Sequence, residues 1–138
     1  STREELDSQG ARTAAFREEP DMAIVVDVSF AQQPGVPAHE SGKLSAGPMI
    51  GVSPILDKGI TNTLRRLAKE QEIPFQMEVM GGRTGTNADG INGSRGGVPC
   101  GLVSIPQRNM HTPAGICDLE DMENTARLLA AFIREVEA

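Results

Sequence analysis

An α/β fold, a sheet flanked by helices, is predicted for this chain by three stretches of its sequence. Gly97–Pro106 is a short apolar run, the pattern of a buried strand, and a few residues later the chain reaches His111. Met22–Phe30 is nearly continuous β-branched apolar sequence, the pattern of a strand covered on both faces. Between and after these runs lie stretches with helical spacing, the longest following Asp118. Open α/β sheets place ligands beyond the C-terminal ends of their strands, so His111 is the residue against which the other candidates are weighed.

In chain order, Ser8 to Glu19 carries Ala11, Ala14, Ala15 and Phe16 at helical spacing and stops at Pro20. The strand Met22–Phe30 comes next, interrupted by Asp27. A lone carboxylate in a buried strand is costly unless it is paired, bonded to backbone amides or bound to a cation. Ala31 to Ala46, rich in Pro, Gly, Ser and Gln, is expected to be a long loop, with His39 in solvent. Gly47–Val52 is a short strand, and Ser53-Pro54 has the form of a helix start, a Ser cap with Pro at the first position. Leu56, Ile60, Leu64 and Leu67 give that helix one apolar face, ending near Gln71. Ile73–Met80 is a strand in which Phe75, Met77 and Val79 alternate with Gln76 and Glu78.

Gly81–Gly90 is a glycine-rich turn lacking both the dinucleotide spacing and the Gly-Lys-Ser/Thr ending of a phosphate loop. It is expected to present polar side chains at the sheet edge, with a short helix over 87–95. The final helix is capped by Asp118 and holds Glu120 and Asp121 in its first turn, against the positive end of the dipole. Its predicted buried stripe is Met122, Ala126, Leu129, Ile133 and Val136.

The 138 residues suit one domain, 1–138. With four Phe and no Trp or Tyr, the core must be aliphatic. A net charge of -6 and the lack of any Lys/Arg-rich run argue against nucleic acid or an anionic membrane as partner. Cys100 and Cys117 have neither metal-type spacing nor a disulfide framework, which fits a reducing, cytoplasmic setting. The adjacent acids Glu4 and Glu5, with Asp27 and His111, are the rare groups in suggestive places, and carboxylates plus imidazole suit zinc, cobalt or manganese. Against that stands the plainer reading of a loop histidine and a solvated acidic pair.

An ordered set of motifs adds to this. It comprises Arg3-Glu4-Glu5 with Gly10-Ala11, Ile24-Val25-Val26-Asp27-Val28-Ser29, Gly47-Pro48-Met49-Ile50 and Ile73-Pro74-Phe75-Gln76. It continues with Gly85-Thr86-Asn87-Ala88, Gly97-Val98-Pro99, Ser104-Ile105-Pro106, Arg108 and Met110-His111-Thr112-Pro113. Over nearly its whole length the chain resembles the C-terminal part of the tetrahedral aminopeptidases, dinuclear metallopeptidases often labelled endoglucanases.

The resemblance implies a zinc-peptidase-like sheet flanked by helices, the C-terminal portion of the catalytic domain. It implies peptide substrates, two divalent ions (zinc or cobalt) and homo-oligomers. It makes Glu4 the general base, Glu5 and His111 ligands of one ion, and Asp27 a ligand of the other. Asn87 stands where the family commonly has Asp, and Asn109 where Tyr is usual, which bears on substrate preference. The family's further histidine and bridging aspartate would lie upstream of Glu4, so the expectation is an inactive fragment with partial or no metal occupancy. The competing expectations are a non-catalytic α/β module for assembly or ligand binding and, more weakly, an endoglucanase. The latter normally needs an aromatic-lined groove, which a chain without Trp or Tyr is poorly equipped to build.

Overall fold

The computed structural model describes residues 1–137. Its elements are α1 (Gln9–Glu18), β1 (Ala23–Phe30), a 3-10 turn at Ala38–Glu40, β2 (Met49–Val52) and α2 (Lys58–Glu70). They continue with β3 (Gln76–Val79), α3 (Asn87–Asn92), β4 (Cys100–Arg108), β5 (Ile116–Cys117) and α4 (Leu119–Val136). The predicted α/β class and the order of its main elements are met; the two-residue strand β5 is an addition that the sequence pattern does not announce.

The sheet runs β1-β4-β2-β3, with β5 added on β4. β1 lies parallel to β4, β2 lies antiparallel to β4, and β3 lies parallel to β2. On one face α2 and α4 cover Ile50 and Val103 with Leu64, Leu67, Leu128 and Phe132. On the other, α3 and neighbouring segments enclose Val25, Leu56, Ala88, Val98, Cys100 and Leu102, and α1 packs on α3. Gly101 is needed where it stands, since a Cβ there would lie 2.4 Å from Cγ2 of Ile60. Glycine lets α2 settle on the central strand.

Four local expectations are corrected. β1 is an edge strand, open on the side away from β4 except at its C-terminal end, where the Gly42 amide donates to Phe30 C=O at 2.9 Å, and its Val26 is exposed. The nearly continuous apolar sequence is therefore not that of a strand buried on both faces. α2 begins at Lys58, not at Pro54. Asp57 caps it by accepting from the Ile60 amide at 2.8 Å, while Ser53–Leu56 forms a turn hooked to β4 through Asp57 N–H and Cys100 C=O at 2.8 Å. In β3 the alternation is real but its sense is reversed: Met77 and Val79 are exposed, whereas Glu78 is partly buried. In α4 the stripe turned to the core is Asp121, Thr125, Leu128, Ala131 and Phe132. Met122, Ala126, Ile133 and Val136 are exposed and Leu129 is half-buried. The helix carries two apolar stripes about 100° apart, and periodicity alone does not tell which one meets the sheet.

Asp121 illustrates why. Its carboxylate is fully buried and accepts from the Ser45 amide at 2.9 Å and the Gly47 amide at 2.7 Å. It thus anchors the long loop after β1 to the helix that covers the sheet, a larger task than the dipole contact expected of it. Asp121→Ala should cost about 3 kcal/mol, because two backbone amides lose a charged acceptor. Asp121→Asn should cost less, and urea unfolding of both variants checks the order.

Candidate active site

One cleft, about 710 Å³ in volume, opens beside the C-terminal end of β1. All four candidate residues line it: Glu4 and Glu5 from the N-terminal turn, Asp27 from β1 and His111 from the loop after β4. Three distant segments therefore meet in one place.

The N-terminal turn is folded back by Leu6 N–H to Arg3 C=O at 3.2 Å and Ser8 N–H to Glu4 C=O at 2.9 Å. Gly10 closes it, donating to Thr2 C=O at 2.8 Å; a Cβ there would sit 2.6 Å from that oxygen. Glycine at this position lets helix α1 press against the backbone that presents Glu4 and Glu5.

Asp27 lies level with Ser104 in the β1–β4 register. It is partly buried, and its Oδ1 accepts from the Val28 amide at 2.8 Å. The expected fully buried carboxylate is thus relieved by two ordinary means, contact with the cleft and one backbone amide.

His111 rides in the hairpin loop between β4 and β5, whose strands pair Gln107 with Cys117 and Arg108 with Ile116. Its φ is 61°, and that of Asn109 is 56°. Left-handed conformations are uncommon outside glycine and are held here by local bonds. Thr112 Oγ1 donates to Asn109 C=O at 2.7 Å, the Asn109 amide to Gln33 Oε1 at 2.7 Å, and Arg108 Nε to Gln32 C=O at 2.8 Å. The loop is pinned to the segment after β1, and His111 Nδ1 comes within 3.8 Å of Glu5 Oε1. Both side chains are well exposed.

Among the described residues no three His, Cys, Asp or Glu side chains converge as a metal site would require. The donor types suit zinc or cobalt, and two of them approach each other, but the set is incomplete.

Sequence reasoning misses Glu78. Its carboxylate faces the cleft and accepts from Ser29 Oγ and, at 2.7 Å, from Ser104 Oγ. In the sequence, alternation with Met77 and Val79 puts this carboxylate on the solvent side of its strand. Only the tertiary position of the two serines reveals its direction. In the glycine-rich turn, Asp89 accepts from the Thr84 amide at 2.8 Å, from Thr84 Oγ1 and from the Gly85 amide, and this shapes the rim that carries Arg83 and Thr84. Seven residues lining the cleft are Asp or Glu, and Arg83 is its one permanent cation. Such a surplus favours cations: divalent ions or an ammonium group. Cys100 is no nucleophile, for burial pushes its thiol from 9.0 up to about 11.

An acidic, histidine-bearing cleft beside the end of a parallel strand lies where open α/β sheets place their ligands. The chain belongs to the M42 glutamyl aminopeptidase family, which it matches over residues 1–128. It is 35% identical to a lysyl aminopeptidase of Pyrococcus furiosus over 137 residues, covering 99% of this chain and 40% of that protein. Among solved structures, an aminopeptidase of the archaeon Desulfurococcus kamchatkensis is 36% identical with a TM-score of 0.85, covering 94% of this chain and 38% of the other. A TET aminopeptidase from a marine-sediment Thaumarchaeota archaeon is 32% identical with a TM-score of 0.87, covering 95% and 38%. The chain thus spans about 40% of the length of the curated relatives it matches.

The raised thiol pKa has a measurable consequence. The folded state keeps Cys100 protonated after the unfolded chain has ionised, so its stabilisation is whole below pH 9.0 and is lost as the pH rises to about 11. The melting temperature of the native chain should fall more steeply across that window than that of Cys100→Ala. Iodoacetamide at pH 8 should label the half-buried Cys117 first.

Proposed function

We propose that this chain carries part of the active centre of a metal-dependent aminopeptidase that removes N-terminal residues from short peptides. The observation that carries the reading is the meeting of Glu4, Glu5, Asp27 and His111 in one acidic cleft, in a chain of aminopeptidase family. In this reading Glu5 and His111 hold one divalent ion, zinc or cobalt, and Asp27 contributes to a second. When bound, such a pair of ions polarises the scissile carbonyl and the attacking water. Glu4, unligated, takes a proton from the water as its oxygen bonds to the carbonyl carbon, and returns it to the departing amine nitrogen as the C–N bond breaks. The excess of carboxylates, Glu78 among them, favours the free α-ammonium of the peptide over a blocked N-terminus.

A two-ion site needs about five donor groups if each ion takes three and one is shared. The three donors here fall short, so the 138-residue chain, read as the C-terminal part of the catalytic domain, is expected to be inactive by itself. Cytoplasmic location and homo-oligomeric assembly belong to the same reading. Among the described residues no helix is long and apolar enough to cross a membrane.

The specific observation behind a non-catalytic reading is the lack of a three-donor cluster among the described residues. Metal analysis separates the two. After incubation with zinc or cobalt and dialysis, the chain should retain less than one ion, and His111→Ala should retain still less. Equal retention by both would remove the basis for the site. Robust hydrolysis of amino-acid arylamides by the chain alone would overturn the claim that it is inactive. In a protein that carries the full family length, Glu4→Gln should lower kcat by about 10²–10⁴-fold with KM little changed.

A further inference from the structure

α1 is a thinly buried helix, for of its ten residues only Ala15 is buried. Gln9, Arg12, Thr13 and Phe16 fall on one side of it by their spacing of three and four residues. All four line a groove of about 620 Å³ whose other wall is α3 and the chain just beyond it. The groove shares no lining residue with the cleft that holds Asp27 and His111. Gly90 brings its walls together: a Cβ there would stand 2.6 Å from Cγ of Arg12, so the arginine stem lies directly on α3.

Two cations stand in this groove. The guanidinium of Arg95 lies over the Phe16 ring, 4.0 Å from its centroid, and its Nε donates to Phe16 C=O. Arg12 is one helical turn earlier on α1, about 6 Å along the axis. Each guanidinium carries five N–H donors. Arg12 gives one of its own to Asp7 at 2.7 Å, and Nη2 of Arg95 lies 2.9 Å from Glu19. Asp7 and Glu19 are both well exposed, and exposed ion pairs hold weakly. An entering anion can therefore take their places.

Ser94 is an independent sign. It lines the groove, is only 8% exposed, and its Oγ has no hydrogen-bond partner. Among the described residues it is the one buried side-chain nitrogen or oxygen left so. Folded proteins leave few such groups, and an ion or a water that completes the bond is one resolution. A water would serve the hydroxyl but makes no use of the guanidiniums, whereas an oxyanion accepts from both kinds of donor.

We propose that the groove between α1 and α3 binds a small oxyanion, phosphate or carboxylate, through Arg12, Arg95 and the Ser94 hydroxyl. Asp7 and Glu19 are the resident anions that the ligand displaces. Phe16, 57% exposed, offers its ring to any apolar part the anion carries.

The test follows amide chemical shifts of the nitrogen-15-labelled chain during titration with sodium phosphate, phenyl phosphate and sodium benzoate. Each titration is matched in ionic strength with sodium chloride. Saturable shifts confined to the 9–16 and 90–95 amides are expected. Tighter binding of phosphate than of benzoate assigns the site to phosphoryl groups, and the reverse assigns it to carboxylates. Phenyl phosphate binding tighter than phosphate places the carbon part on Phe16. Arg12→Gln, Arg95→Gln and Ser94→Ala should each weaken binding about tenfold. Asp7→Asn and Glu19→Gln should tighten it about two- to fivefold, because each removes a competing carboxylate. Lys69→Gln, which removes the same charge from the exposed face of α2, should change nothing. Ser94→Ala should leave the melting temperature of the free chain unchanged or higher, since it deletes an unpaired hydroxyl. If Arg95→Gln fails to fold, the tightening by Asp7→Asn and Glu19→Gln decides. Shifts that do not saturate, or that chloride reproduces, would overturn the proposal. So would equal weakening by Lys69→Gln, or a Ser94→Ala chain that melts lower and binds as before. None of these outcomes depends on bound metal or on hydrolysis.

Discussion

Everything the cleft contains depends on the pairing of β1 with β4. Parallel hydrogen bonding in the register Asp27↔Ser104 brings the C-terminal ends of the two strands out together. The long loop after Phe30 and the hairpin loop after Arg108 must then share one end of the sheet. Their mutual bonds, Arg108 to Gln32 and Asn109 to Gln33, are consequences of that register. A slip of one residue would turn Asp27 to the other face and separate it from the serines that hold Glu78. The register is in turn secured by burial of β4, where Leu102 and Val103 face opposite cores and Gly101 admits Ile60.

The same arrangement explains which parts of the molecule are legible in the sequence. Strands and helices with one apolar pattern are recognisable because burial imposes the pattern: β4 and the Ile60–Leu64–Leu67 face of α2 are examples. Ambiguity arises where a residue serves tertiary structure in place of its own element. Ser53-Pro54 has the composition of a helix start, but the chain uses it as a turn, and Asp57 does the capping. Glu78 reads as a solvent residue since no local rule reports two serines waiting on other strands. α4 contains two apolar stripes, and choosing between them requires the knowledge that Asp121 is drawn inward by the amides of Ser45 and Gly47. The candidate site is more legible than its surroundings: ordered motifs single out Glu4, Glu5, Asp27 and His111, and the fold brings them to one cleft. Their roles rest on chemistry that suits the arrangement.

Strain and openness at the cleft belong together. His111, Asn109, Arg3 and Asp7 all have positive φ, and all lie in the turns that present or flank the candidate residues. Such conformations cost of order 1 kcal/mol or more each and persist only where surrounding bonds enforce them. The hairpin loop has these bonds in abundance, while the N-terminal turn depends on a few backbone contacts and on the close approach of Gly10 to Thr2. Of the two sides of the cleft, the one carrying Glu4 and Glu5 is therefore the more easily deformed.

This asymmetry connects the open sheet edge to the chemistry. β1 is at once the strand that presents Asp27 and the strand whose outer edge is unpaired up to Phe30, whose carbonyl accepts from the Gly42 amide. A strand added along that edge would run beside Asp27, and the loop at its end would emerge at the cleft. It would also enclose the cleft, lowering the local dielectric and strengthening every charge interaction within it.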